Sequence, residues 1–168
     1  MTDIGIALLL LVPIVIVIII LNNATKQRKK KAQKKINACI TEATRQTGIT
    51  NYFRKQLSHQ TVIMDERNKK LLLIEHKDEA FSFTVYPLDA VKNVLVLNET
   101  RSFIPEGKGQ KKENLTTRFG LEISFKKGDT DKFITLYDYL EHNIYQMQEL
   151  EKEAHELRDK IEKARNGN

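Results

Sequence analysis

Two hydrophobic patterns divide the chain. Residues 4–21 (IGIALLLLVPIVIVIIIL) form an apolar run of 18 residues without a charge. After His59 the pattern becomes alternating. Residues 61–66 (TVIMDE) and 69–76 (KKLLLIEH) read as strands around an Arg67-Asn68 turn, where Asn tolerates positive φ. Residues 80–86 (AFSFTVY) place Phe81, Phe83 and Val85 on one face, and Pro87 ends the run. Residues 91–97 (VKNVLVL) and 118–126 (RFGLEISFK) read as further strands. Connections this short suit antiparallel hairpins, not parallel crossovers.

The apolar run predicts a transmembrane helix. At 1.5 Å per residue it spans roughly 27 Å, close to the ~30 Å hydrocarbon core. A cleaved signal peptide is disfavoured, because no base precedes the run and no small-residue cleavage site follows it. The bases Lys26, Arg28, Lys29, Lys30, Lys31, Lys34 and Lys35 lie just after it. The positive-inside rule then predicts a single-pass inner- or plasma-membrane protein with its N-terminus outside and its C-terminal part cytosolic. Cys39, the one cysteine, would sit in a reducing compartment.

Residues 24–47 are helix formers without Pro or Gly, and Gly48 is a suitable stop. Residues 49–58 (ITNYFRKQLS) suggest a second short helix. A longer helix is expected from Asp131 to about Arg165. There Phe133, Leu136, Leu140, Asn143, Met147, Leu150, Ala154, Leu157, Ile161 and Ala164 recur at three- and four-residue spacing. Its distal part would project from the domain, with Met147, Leu150, Leu157 and Ile161 offering a seam for self-association or a partner helix. The expected fold is α+β: a transmembrane anchor at 1–25, a basic helical linker at 26–58, a small antiparallel β domain with a closing helix at 59–140, and a coiled-coil-like extension at 141–168.

Charge sharpens this picture. Residues 26–60 hold ten bases against one acid, whereas residues 128–168 hold six bases against ten acids. The basic balance comes from one stretch beside an apolar run, unlike the spread of bases over a nucleic-acid-binding domain. No nucleic-acid partner is expected. The Lys26–Lys35 cluster is a candidate membrane-surface contact, and Lys108, Lys111 and Lys112 in the 106–112 loop are a candidate phosphate or lipid contact. That loop lacks the Walker A spacing. His59, His76, His142 and His155 lack metal-ligand spacing, and no HExxH, GxSxG, CxxC or dinucleotide glycine pattern occurs. No catalytic residue, metal, cofactor or small-molecule substrate is expected.

The segments VIMDERNKKLLLI, YPLDAVKNVLVLNE and FGLEISFKKGDTDKFITLYDYL resemble the opening hairpin, the next strand and the closing part of bacterial pleckstrin-homology-like (PH-like) domains, over about residues 61–140. The resemblance implies a bent antiparallel sheet capped by a C-terminal helix, binding lipids, peptides or proteins without catalysis. The chain departs from lipid-binding members in its first hairpin, where only Arg67, Lys69 and Lys70 are basic, and in lacking a helix Trp. The expected function is a membrane-anchored binding and assembly module recruiting a protein partner. The alternative is a sensor of anionic lipid surfaces.

Overall fold

The computed structural model describes residues 2–77, 80–103, 113–126 and 130–167, with side chains from residue 15 onward except at 77, 103 and 113. The chain forms two compact units, Met1–Ala43 and Thr44–Asn168. Helix α1 (Thr2–Thr47) runs for 46 residues and stops at Gly48, whose φ of 68° is the left-handed conformation that ends helices.

The structure corrects the expected single-pass topology. Among the described residues no helix is long and apolar enough to cross a membrane. Most of the expected span, residues 4–14, lies outside the described side chains. The described remainder, residues 15–21, is about 10 Å long at 1.5 Å per residue, a third of a hydrocarbon core. The transmembrane element of the fold class and the inner-membrane location are therefore set aside.

Among its described residues the second unit holds seven strands in two antiparallel sheets. Sheet A is β1 (Phe53–Gln56), β2 (Gln60–Asp65), β3 (Lys70–Lys77) and β4 (Ala80–Pro87), in chain order. A 3₁₀ turn at Leu88–Ala90 leads to sheet B: β5 (Val91–Phe103), β6 (Glu113–Phe125) and β7 (Lys132–Asp138). Helix α2 (Met147–Asn166) follows a second 3₁₀ turn, Ile144–Gln146. The core contains Val62, Met64, Leu71 and Leu73 of sheet A, Leu121, Ile123, Ile134 and Leu136 of sheet B, and Ala154, Leu157, Ile161 and Ala164 of α2. Stacked pairs fill the wide gaps: Tyr86 on Phe125 at 4.3 Å and Phe119 on Tyr137 at 5.3 Å between ring centroids. The other face of sheet A is buried too, at Ile63, Leu72 and Ile74. This explains why the Leu71–Ile74 run is continuously apolar instead of alternating.

Two further expectations are corrected. Residues 53–56 form the edge strand β1, not a helix. Residues 132–138 form β7, so the C-terminal helix starts at Met147 and not at Asp131. A bulge in β7 explains the misreading. Tyr137 pairs with Phe119 and Thr135 with Gly120, so Leu136 is an extra residue. Ile134, Leu136 and Tyr137 are then all buried, a spacing that breaks strict alternation and imitates a helical stripe. Gly120 lets β7 approach: a Cβ there would stand 2.0 Å from the Ile134 carbonyl oxygen.

The β2–β3 turn is fixed by Asp65, which is fully buried. Its carboxylate accepts from Asn68 N at 2.9 Å, Asn68 Nδ2 at 2.8 Å and Thr50 N at 3.4 Å. Burial alone would raise its pKa, but these bonds and one from the Arg67 backbone prevail and lower it. The turn places Lys69, at φ 53°, so that its Nζ donates to Ala164 O at the end of α2, at 2.6 Å. Lys70 Nζ donates to Thr47 O at the end of α1, also at 2.6 Å. Both lysines thus satisfy orphan carbonyls at the negative end of a helix.

Candidate docking groove on the second sheet

Sheet B carries its polar chemistry on the face away from the core. Leu121 and Ile123 point inward, so Arg118, Gly120 and Glu122 point outward. Glu99 lies opposite Arg118, and Arg101 opposite Leu115. Between these pairs Thr117 is an extra residue in β6, a bulge that bends the long β5–β6 hairpin. Arg118 grips Glu99 with both arms of its fork: Nη2 to Oε1 at 2.6 Å and Nε to Oε2 at 3.2 Å. Its guanidinium also lies 4.6 Å from the centre of the Phe133 ring. The hydrogen bonds from Arg118 are the main reason Glu99 titrates lower than usual, burial opposing them and the charges of Arg118 and Arg101 assisting. Both partners are substantially exposed, so the pair is worth at most about 1 kcal/mol. Its service is to hold Arg118 in place.

At the end of β7, Asp138 turns the chain. Its side chain accepts from Leu140 N at 2.9 Å, and its carbonyl accepts from Glu141 N and His142 N. This turn pushes Tyr139 and Leu140 outward, at 51% and 88% exposure; Ile144 and Tyr145 follow at 54% and 90%. A groove of about 660 Å³ runs between this corner and the hairpin, walled by Tyr139, Leu140, Leu115 and Thr117 and floored by Glu99 and Arg118. A smaller hollow of about 320 Å³ lies on the other side of Arg118.

That smaller hollow contains Ser58, His59, Glu141 and His142. His59 pairs with Glu141, and Ser58 Oγ lies 3.4 Å from His142 Nε2. The grouping looks like a nucleophile beside a base, with the Ser58–His142 contact long for a hydrogen bond at 3.4 Å. The Asp138 amide donates to His142 Nδ1 at 3.1 Å. The Asp138 carbonyl lies 3.3 Å from the same nitrogen, so Nδ1 is placed equally to donate, and the contacts fit either tautomer of the ring. Among the described residues no group of three His, Cys, Asp or Glu could hold a metal ion. Gln60 closes the hollow by joining the sheets, its Nε2 donating to Phe133 O at 3.0 Å and its Oε1 accepting from Thr135 N at 3.1 Å.

The residues singled out from sequence fall elsewhere. Lys26, Arg28, Lys29, Lys30, Lys31, Lys34 and Lys35 are exposed along α1. Lys108, Lys111 and Lys112 lie outside the described residues. Leu157 and Ile161 are buried in the unit's own core, against which Met147 and Leu150 pack half-buried. The seam expected to associate with another helix is therefore occupied by the chain's own sheets. Asn143, expected in that seam, instead accepts from Tyr145 N at 3.1 Å and caps the 3₁₀ turn. Sequence reasoning missed the outward set of Glu99, Arg118, Phe133, Tyr139 and Leu140. The available signal was Arg118 beginning an otherwise apolar–polar alternating strand.

No protein-family model matches this chain, and no curated protein or solved structure does.

Proposed function

We propose that residues 44–168 form a non-enzymatic binding module of PH-like architecture, and that the groove on sheet B docks a protein partner. The four-plus-three antiparallel arrangement completed by a C-terminal helix supports the architecture that the sequence resemblance implies. The observation that carries the docking reading is the corner beside Arg118. Tyr139, Leu140, Ile144 and Tyr145 are large apolar or aromatic side chains exposed within seven residues of one another. Held out by a well-bonded turn, Tyr139 and Leu140 border a groove whose central guanidinium is already oriented. Exposed aromatic and aliphatic clusters with an ordered Arg are typical of interface centres.

The first-hairpin lysines speak against a phosphate-binding role in sheet A, because Lys69 and Lys70 are committed to helix ends. The test is site-specific crosslinking in cells, with a photo-reactive phenylalanine replacing Leu140 in one variant and Glu151, exposed on α2, in another. One dominant crosslinked species from position 140, lost on Arg118→Glu and missing from position 151, is expected. Equal crosslinking from both positions, or none from 140, would overturn the reading.

A further inference from the structure

We propose that the groove takes its partner as an added β-strand: a short extended peptide segment, carrying an aliphatic side chain two residues from a carboxylate so that both face the groove, pairs with the free edge of β6 at residues 113–117. This rests on the docking reading above and specifies how that surface is used.

The backbone supplies the first argument. Strands β5 and β6 each run for 13 residues, whereas β7 has seven. The register of β7 with β6 ends at Arg118↔Asp138, and Tyr139 N adds one last bond to Thr117 O at 2.9 Å. The Asp138 turn then carries the chain away. Residues 113–117 keep β5 on one side and, among the described residues, have no strand on the other. Apart from the Thr117 carbonyl, such an edge presents a row of amide and carbonyl groups without a strand partner, a template for an incoming strand. The free edge of β7 is not equivalent, since Gln60 already bonds Phe133 O and Thr135 N.

The side chains supply the second argument. Leu115 is half-buried on the groove side, and Tyr139 and Leu140 stand at the end of the free edge. An aliphatic residue of the added strand would cover them. Both oxygens of Glu99 are taken by Arg118. Arg101, exposed on the same face, holds no ion pair among the described residues and is the cation left over. A carboxylate in the ligand complements it. The length decides against a second copy of the chain. At ~3.4 Å per residue the edge is about 17 Å long. That suits a five-residue segment; a contact of this length and roughly 10 Å width covers on the order of 170 Å², well short of the ~800 Å² per partner that a stable dimer buries.

The test uses the full chain, isotopically labelled, with the blocked pentapeptide Val-Thr-Asp-Thr-Val as probe, whose Val and Asp side chains share one face of an extended strand. Two N-methylated forms accompany it, one methylated at both Thr and one at the other three residues. Strand pairing uses alternate amides, so one form loses affinity by at least about tenfold while the other binds like the parent. Amide signals of residues 113–117 shift and their exchange slows. Replacing the peptide's Asp by Lys weakens binding severalfold to the native chain but not to Arg101→Gln. If Tyr139 and Leu140 signals shift and both methylated forms bind equally, strand addition is overturned while the docking face stands. If millimolar peptide leaves the groove signals unmoved, the inference and the docking reading both fall.

Discussion

Leu157→Ala tests whether α2 belongs to the domain or to an assembly. Leu157 is 2% exposed, one turn before the fully buried Ile161, and both lie in the core built by the two sheets. The substitution removes three carbon atoms from a closed environment. At about 0.8 kcal/mol per buried methylene the transfer cost is ~2.4 kcal/mol, and the cavity left behind brings the total to about 3 kcal/mol. Denaturant unfolding followed by far-UV circular dichroism measures the loss. Because the helix packs within one chain, the midpoint is also expected to stay constant over a hundredfold change in protein concentration. An effect under 1 kcal/mol, or a midpoint that rises with concentration, would refute the packing argument and return the helix to an intermolecular role.

Gly120→Ala should be as damaging as a core truncation, although it adds a single methyl group. The new Cβ would meet backbone of β7, which cannot rotate away; a loss of about 3 kcal/mol is expected, and a thermal midpoint within 1 °C of the native chain would contradict it. Lys69→Met should cost about 1 kcal/mol and speed hydrogen exchange in the last turn of α2, because Lys69 Nζ no longer reaches Ala164 O; unchanged exchange there would remove its capping role. His76 titrates below its ordinary 6.5 because it is buried and faces the charges of His59 and Arg54. A depressed histidine favours the folded state above 6.5, and that stability is lost as pH falls below it. His76→Gln should flatten the fall in unfolding midpoint between pH 6.5 and 5, and an equal fall in both proteins would sink the assignment. Asp65, held below its ordinary 3.8, contributes stability that disappears only as pH drops beneath that value; Asp65→Asn should therefore narrow its deficit in acid, and a deficit constant from pH 7 to 2 would exclude the linkage.

Strands β2, β3 and β4 of sheet A were legible because their side chains obey local rules, whereas the edge strand β1 was read as a helix. Pro87 stops β4, Asn68 turns β2 into β3, and the Leu71–Ile74 run marks a strand buried on both faces. Sheet B was legible only in its inner halves. Beyond Leu97 the strand β5 reads NETRSF, whose few apolar residues carry no alternation, and it extends by pairing with β6 instead of by burying side chains. β7 was hidden by its bulge. The docking face was hidden for a different reason. Arg118, Glu99 and Phe133 are brought together by register across three strands, and register is a tertiary property that no local pattern in one strand encodes.

The same register argument explains where binding chemistry remains available in this unit. Buried Asp65 anchors the first hairpin and directs Lys69 and Lys70 onto the carboxyl ends of two helices. Freeing either lysine for a ligand would leave a helix carbonyl without its cation, so recognition there competes with folding. On sheet B the opposite holds. The Arg118–Glu99 fork is exposed enough to contribute little to stability, and the β6 edge past Thr117 satisfies no other element among the described residues. Groups that the fold does not need can change their partners at small cost. That asymmetry favours the second sheet for the proposed recognition surface and predicts that Arg118→Ala will abolish crosslinking from position 140 while shifting the unfolding free energy by less than about 1 kcal/mol.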